Sequence, residues 1–428
     1  MASRKIRIVG GGIGGLILAT QLGKRFKRSD TYEVTLIDRD ATHIWKPMLH
    51  AIAAGTWNVY QQQLPYLAHA KDHGYSYVPG ELSGIDRARK QIELAPFIYE
   101  GETIIERRTL DYDVLIIAVG SQANDFGIPG VSEFCHFIDS QVQAESFNIR
   151  LRGRIIESVV HDEVLHVAIV GAGATGVELC AELSQLLDAA AAYGDPNIRR
   201  RLHLTLLESG PRILPAFPES VSNSTAEQLR KIGVDVRVNV RVIAAEAGGF
   251  RLADESLVPA QIMVWAAGVK AARFLNGIDG LETSRPNQLL VRPTLQTTLD
   301  DHIFALGDCA SLTPPGETRP LAPTAQVAHQ QAMHLSRYFP DWLEGKPLPG
   351  FQYRDFGSLV SLGEYNAFGT LGRFGFFKGG FIRGRFAQFS HAMLYRRHQL
   401  VLHGFLKSTL LWAAEHLNAF VRPKIRLS

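Results

Sequence analysis

The feature that most restricts the fold of this 428-residue chain is a glycine fingerprint that occurs twice. Near the amino terminus an apolar run from Ile6 to Val9 leads into Gly10-Gly11-Gly12-Ile13-Gly14-Gly15. The pattern reads as a buried parallel strand, a tight turn and a helix. Gly10 permits the turn, Gly12 lets the backbone approach a pyrophosphate, and Gly15 lets the helix lie close on the strand. Phosphate then rests on the positive end of that helix. One such pattern is weak evidence, because glycine-rich turns are common. Here it is followed by Val34-Thr35-Leu36-Ile37-Asp38, a strand ending in an acid that can hydrogen-bond both hydroxyls of a ribose, the plainer alternative being a solvated acid opening a loop. The whole pattern then recurs. Val167 to Val170 enters Gly171-Ala172-Gly173-Ala174-Thr175-Gly176, and the strand Leu204 to Leu207 ends in Glu208. Two complete fingerprints imply two dinucleotides.

Length and composition suit two or three domains with full cores: 46% of residues are hydrophobic and 20% charged. The 3 cysteines, Cys135, Cys180 and Cys309, are far apart and form no CxxC or CxxxxC pair, which excludes a cysteine-held cluster or zinc site and an internal redox disulfide. No apolar run approaches the length of a membrane span, and Arg4-Lys5 passes directly into the first strand. No signal peptide is therefore expected, and any membrane contact should be peripheral. Charge is uneven. From Gly372 to Ser428 there are ten Lys and Arg against one acid, Glu415, so this end carries +9 in a chain whose net charge is +3.

The order of the segments points to an α/β fold with two Rossmann-like dinucleotide-binding domains, the second inserted in the first, plus a C-terminal membrane-associating region with an amphipathic helix. The expected boundaries are 1–125 with 290–346, then 126–289, then 347–428. Trp45-Lys46-Pro47-Met48-Leu49-His50 to Gly55 reads as a loop and short helix. The run Val114 to Val119 is a buried strand whose closing Gly120 suits backbone passing close to a ligand. The helix after Gly176 carries Glu178 and Glu182 toward Gly194, where Asp195-Pro196 breaks it; a strand is expected over Val234 to Val242. Met263 to Gly268 echoes the earlier strand end, and Ile303 to Gly307-Asp308-Cys309 returns the chain to the first domain. Beyond Pro347, Leu394, Leu400, Val401, Leu402, Phe405, Leu406, Leu410, Leu411 and Trp412 supply an apolar face flanked by Arg396, Arg397, Lys407, Arg422 and Lys424. Such a helix fits an anionic membrane surface; the alternative is a terminal helix packed on the body.

These patterns resemble the two-dinucleotide-binding flavoprotein superfamily, and within it the type II, non-proton-pumping NADH:quinone oxidoreductases, bacterial branch. The resemblance covers essentially the whole chain and is most specific at Trp45 to His50, Gly171 to Glu182, Met263 to Lys270, Pro293 to Ala310 and Ala325-Gln326-Val327-Ala328-His329-Gln330. It implies that Gly10, Gly12 and Gly15 meet the pyrophosphate of FAD and Asp38 its adenosine ribose, that Asp308 beyond Gly307 holds the ribityl chain, and that Lys46, Gly120, Ala325 and Gln326 also line the cofactor. Gly171, Gly173 and Gly176 would cradle NADH, with Glu208 on its ribose and Glu178 near the nicotinamide. A carboxylate at Glu208 repels a second phosphate and so favours NADH over NADPH, a preference that Arg212 complicates. Gln326 and Gln330, four residues apart on one helical face, would line a quinone pocket. Taken alone, that pair reads as surface polar residues, Asp308 as a helix cap and Glu178 as an exposed acid. Many relatives have a glutamate where this chain has Ala51 and a basic residue where it has Phe356, departures on the acceptor side.

The implied activity is hydride transfer from NADH to FAD and then two-electron reduction of a membrane quinone, at the cytoplasmic face of the cell membrane. A homodimer is left open, and nothing points to nucleic acid. The competing readings are an NADH-dependent reductase of a soluble ferredoxin or rubredoxin, a disulfide or sulfide:quinone reductase, which needs paired cysteines, and a redox-sensing module that binds both nucleotides without turnover.

Overall fold

The computed structural model describes residues 3–57, 63–192, 198–363, 365–371, 373–374, 377–378 and 381–421. The expected helix breaker Asp195-Pro196 and the flanking cations Arg422 and Lys424 lie outside them. The chain divides into two compact units: Met1–Trp45, Gln62–Gln122 and Val269–Tyr353 form the first, and Lys46–Gln61, Ala123–Gly268 and Arg354–Ser428 the second.

In the first unit the strands Arg4–Val9, Tyr32–Asp38, Ser76–Pro79, Val114–Ile117 and Ile303–Ala305 form one parallel sheet, with Arg4–Val9 at its centre and Val114–Ile117 and Tyr32–Asp38 beside it. Their apolar runs follow from this position. A parallel strand covered on both faces loses alternation, and Val114, Leu115, Ile116 and Ile117 are all fully buried. The helix Ile13–Phe26 packs against the long helix Ala325–Leu343. An antiparallel meander of Leu82–Asp86, Gln91–Leu94 and Arg108–Asp111 is added to this core.

The second unit repeats the plan. Leu165–Val170, Leu202–Leu207, Val234–Arg237, Ile262–Trp265 and the short Cys135–His136 form a parallel sheet, with the helices Gln141–His161 and Ala174–Ala192 and a second meander of Val242–Glu246, Gly249–Leu252 and Leu257–Pro259. The single strand expected over Val234 to Val242 is two strands in different sheets. Asn239, in the left-handed region at φ 56°, turns the chain between them.

Some segments cluster differently from the sequence boundaries. Residues 269–289 go with the first unit, because Leu289–Leu290 pairs in parallel with Ala310–Ser311 and Asp279 receives the backbone N–H of Arg87. Residues 354–428 go with the second. There Gly357–Leu362, Asn366–Leu371 and Phe381–Arg383 make an antiparallel sheet before the terminal helical segment Arg385–Val421. That segment is two helices, broken at Gly404 (φ 76°, ψ 173°). Arg396 and Glu415 meet at 2.5 Å, although 19 residues of straight helix would hold them about 28 Å apart. The tail is therefore folded back at the glycine.

Candidate functional site

The first glycine turn is a cradle with its backbone already organised. Gly10 has φ +103°, and a Cβ there would collide with the carbonyl of Ala118; one on Gly15 would collide with the carbonyl of Gly10. A Cβ on Gly12 would meet nothing within 4 Å, so open space lies where a phosphate would sit. Asp38 projects into this turn. Its carboxylate accepts the backbone N–H of Gly11 and, at 2.8 Å, that of Asp40. Burial pushes its pKa up to about 6 against those two hydrogen bonds. The Gly11 carbonyl is held as well, by the Tyr66 hydroxyl at 2.8 Å and by His43 Nδ1 at 2.9 Å. Neither residue carries a motif signal, and only the fold brings them to the turn.

A second edge of the same unit gathers Gly120, Ser121, Gly307 and Asp308. Gly120 and Gly307 both have positive φ, at +73° and +72°. Asp308 is no helix cap: its carboxylate accepts the Ser121 hydroxyl at 2.7 Å. The Gly307 N–H donates at 2.7 Å to Gln331 Oε1. Gln331, the residue next to the predicted Gln330, is buried and fixes this turn. The predicted Ala325 and Gln326 stand at the first turn of Ala325–Leu343, whose N-cap Thr324 accepts the Val327 N–H. Gln326 Oε1 accepts the Tyr353 hydroxyl at 2.8 Å, and Gln330 follows one turn later, half-buried.

In the second unit Gly171, at φ +102°, and Gly176 repeat the contacts of Gly10 and Gly15, and Gly173 is as open as Gly12. Glu208 accepts the Ala172 N–H at 2.9 Å and the Gly210 N–H at 2.8 Å, the counterparts of Gly11 and Asp40. Arg212 is committed elsewhere. Its guanidinium donates to the carbonyls of Phe217 at 2.7 Å, Pro215 at 2.9 Å and Leu214 at 3.3 Å.

Glu178 lies in the first turns of Ala174–Ala192 and is buried, 7% exposed, so it is no exposed acid. Its Oε1 accepts the Ser361 N–H at 3.0 Å, and Oε2 lies 3.5 Å from His50 Nδ1. Desolvation, with some repulsion from Glu182 one turn on, raises its pKa to about 8. Glu182 accepts the Thr56 hydroxyl at 2.5 Å. Lys46 opens the short 3-10 turn Lys46–Met48 that leads into the helix carrying His50. Ala51, one of the departures, is buried in that helix, and Phe356 is exposed.

Cys135, Cys180 and Cys309 are all free thiols, and burial raises the pKa of each. Among the described residues no group of three or more His, Cys, Asp or Glu could hold a metal ion, and no helix is long and apolar enough to cross a membrane.

Two glycine cradles on two parallel sheets define the class: an oxidoreductase that binds two dinucleotides. Residues 4–332 match the family described as pyridine nucleotide-disulphide oxidoreductase. The chain is 40% identical to the type II NADH:quinone oxidoreductase of Haemophilus influenzae over 99% of its own length and 100% of the relative's. It is 29% identical to the enzyme of the same description from Staphylococcus saprophyticus, covering 85% of this chain and 88% of that one. Its fold matches NDH2 of Plasmodium falciparum, solved in complex with NADH, with a TM-score of 0.84 at 22% identity over 99% of this chain and 100% of that chain. This chain belongs to the type II NADH:quinone oxidoreductases, within the pyridine nucleotide-disulphide oxidoreductase family.

Proposed function

We propose that this chain oxidises NADH and reduces a membrane quinone by way of bound FAD, without pumping protons. The observation that carries the reading is the matched pair of cradles, each with glycines where a Cβ would collide, an open glycine between them and a carboxylate bonded to the turn. When bound, FAD supplies the redox chemistry, accepting a hydride and passing two electrons on. The chain's own residues bind and align. Gly10, Gly12 and Gly15 accommodate the FAD pyrophosphate at the start of Ile13–Phe26, where unpaired N–H groups favour phosphate. Asp38 takes the adenosine ribose. Asp308, steadied by Ser121, is set for the ribityl hydroxyls, while Gly120 and Gly307 let backbone come close. Ala325 and Gln326, at the positive end of their helix, suit the electron-rich pyrimidine edge. Lys46 is assigned to the cofactor on the family resemblance alone.

For NADH, Gly171, Gly173 and Gly176 receive the pyrophosphate, Glu208 the ribose and Glu178 the nicotinamide end. Glu208 disfavours a 2′-phosphate, and Arg212 directs its donors to loop carbonyls. Gln326 and Gln330 offer amide groups to the quinone carbonyls. Burial keeps Glu178 protonated at neutral pH.

The terminal region fits a peripheral seat on the cytoplasmic face of the membrane. Phe405, Leu406, Leu410, Trp412 and Leu417 are 47–79% exposed, with Arg397 and Lys407 exposed beside them, a composition suited to anionic lipid. The test is spectroscopic. The purified chain should be yellow, lose its colour with NADH under anaerobic conditions and regain it with a soluble quinone analogue. Failure to regain colour would overturn the reading even if bleaching were fast.

A further inference from the structure

The helix Ala325–Leu343 buries Val327, Ala328, Ala332, Leu335 and Phe339 and, among them, one polar residue, Gln331. A glutamine in an apolar stripe is out of pattern, and this one is only 1% exposed. A carboxamide brings one acceptor and two N–H donors, and buried polar groups are ordinarily satisfied. The acceptor is. Oε1 takes the Gly307 N–H at 2.7 Å, and because an N–H must be faced by oxygen, this contact also fixes which end of the amide is which. The donors are not satisfied: Nε2 makes no hydrogen bond among the described residues.

The surroundings say what those donors serve. Oε1 and Nε2 share one carbon, so Nε2 stands beside the turn that Gly307 begins. That turn lies close on the helix, since a Cβ on Gly307 would come within 3.2 Å of the Ala328 Cβ. Its other polar groups are occupied. Gln288 Nε2 donates to the carbonyls of Asp308 at 2.9 Å and Ala310 at 3.4 Å, and the Ser121 hydroxyl donates to the Asp308 carboxylate at 2.7 Å. Gln331, Gln288 and Ser121 thus hold the turn from three segments, and of these three Gln331 alone has donors left over for a ligand of the turn.

The chemistry of Asp308 defines that ligand. An ionised carboxylate only accepts, so hydroxyls that meet it direct their hydrogens to it and leave their lone pairs for another donor. An amide N–H answers those lone pairs. A chain of alcohol groups laid along this turn is therefore held as donor by Asp308 and as acceptor by Gln331.

We propose that Gln331 is a further flavin-binding residue that uses both halves of its amide: Oε1 fixes the Gly307–Asp308 turn, and Nε2 donates to a hydroxyl of the FAD ribityl chain. This rests on the reading above that Asp308 takes the ribityl hydroxyls.

The experiment follows release of flavin from the full loaded chain by the rise of free-flavin fluorescence. Parent and Gln331→Met are compared, each carrying FAD or an FAD analogue that lacks one ribityl hydroxyl. Gln331→Met keeps the length of the side chain and removes both polar atoms. It should release FAD faster by about tenfold or more, equivalent to about 1.4 kcal/mol. For the analogue that lacks the hydroxyl held by Gln331, release should be hastened in the parent and not further in the variant, a coupling that a purely structural residue does not produce. If Gln331→Met purifies without colour, Gln331→Asn, which draws the amide back by one carbon, carries the same comparison. Two results would overturn the proposal: release at the parental rate from the variant, or analogues that are each hastened by the same factor in parent and variant. Asp308→Asn, run alongside, separates this inference from the reading beneath it. Faster release from Asp308→Asn but not from Gln331→Met would remove the inference alone, and release that neither change hastens would remove both.

Discussion

The two cradles share one plan and close it by different means. In both, the acid ending the second strand accepts the N–H of the middle residue of the glycine turn and the N–H two residues beyond itself. The carbonyl of that middle residue distinguishes them. In the first cradle Gly11 is held by Tyr66 and His43, side chains from later segments, and a side chain at position 11 would run into the Tyr66 ring. In the second, Ala172 fits, and its carbonyl takes the N–H of Leu214 at 2.7 Å, from the loop that directly follows the acid. Arg212 braces that loop through three carbonyls. The first cradle is thus closed by tertiary packing and the second by its own local chain. The difference suits a tightly kept cofactor in one and an exchanging substrate in the other.

The largest expected effect breaks the first cradle. Gly15→Val drives a branched side chain into the Gly10 carbonyl, and the purified protein should lose its yellow colour and all NADH oxidation; retention of flavin would dissociate the turn from the cofactor. Next, Glu208→Gln removes the charge that opposes a 2′-phosphate, and the NADPH-to-NADH ratio of kcat/KM should rise about tenfold or more. An unaltered ratio would remove the assignment.

Above pH 6, where Asp38 with its raised pKa of about 6 has largely titrated, a pH experiment isolates buried Glu178. Its pKa in the folded chain, about 8, lies above the ordinary 4.5, so the folded state binds a proton more readily than the unfolded one. The stability this lends is complete below 4.5 and is lost as pH rises through 8. Thermal unfolding should therefore show a Tm that falls over that interval, and Glu178→Gln should flatten the fall. Parallel curves for parent and variant would contradict the burial of a protonated acid. The smallest effect is at Arg212. Arg212→Ala should destabilise the fold by about 1 kcal/mol for each hydrogen bond lost, read as a lower Tm, and shift the NADPH-to-NADH ratio less than about twofold, equivalent to about 0.4 kcal/mol.

The parts of the fold that were legible in the chain are those where backbone geometry forces residue type. A turn at φ near +100° followed by a helix pressed on its strand accepts only glycine, so Gly10, Gly15, Gly171 and Gly176 stand out without a structure. The acids at Asp38 and Glu208 could be found by counting from those turns. Tyr66, His43 and Gln331 could not, because a residue that braces a turn from far along the chain leaves no local pattern. Gln331 also sits beside Gln330 on a helix where periodicity alone cannot say which face meets Gly307. The fold-back of the tail depends on Gly404, one glycine in an apolar helical run, which propensity treats as a tolerated cost of about 1 kcal/mol. The C-terminal sheet has short strands rich in glycine and aromatics and no clean alternation, so its pairing emerges only from the fold.

The central claim is that the two cradles are not interchangeable: the amino-terminal one keeps FAD and the inner one receives NADH. Anaerobic stopped-flow mixing of the Gly176→Val chain with NADH tests it most directly. The account predicts a protein that remains yellow as purified, is not bleached by NADH and is still bleached by dithionite. Bleaching by NADH at the parental rate, or loss of the yellow colour on purification, would contradict it.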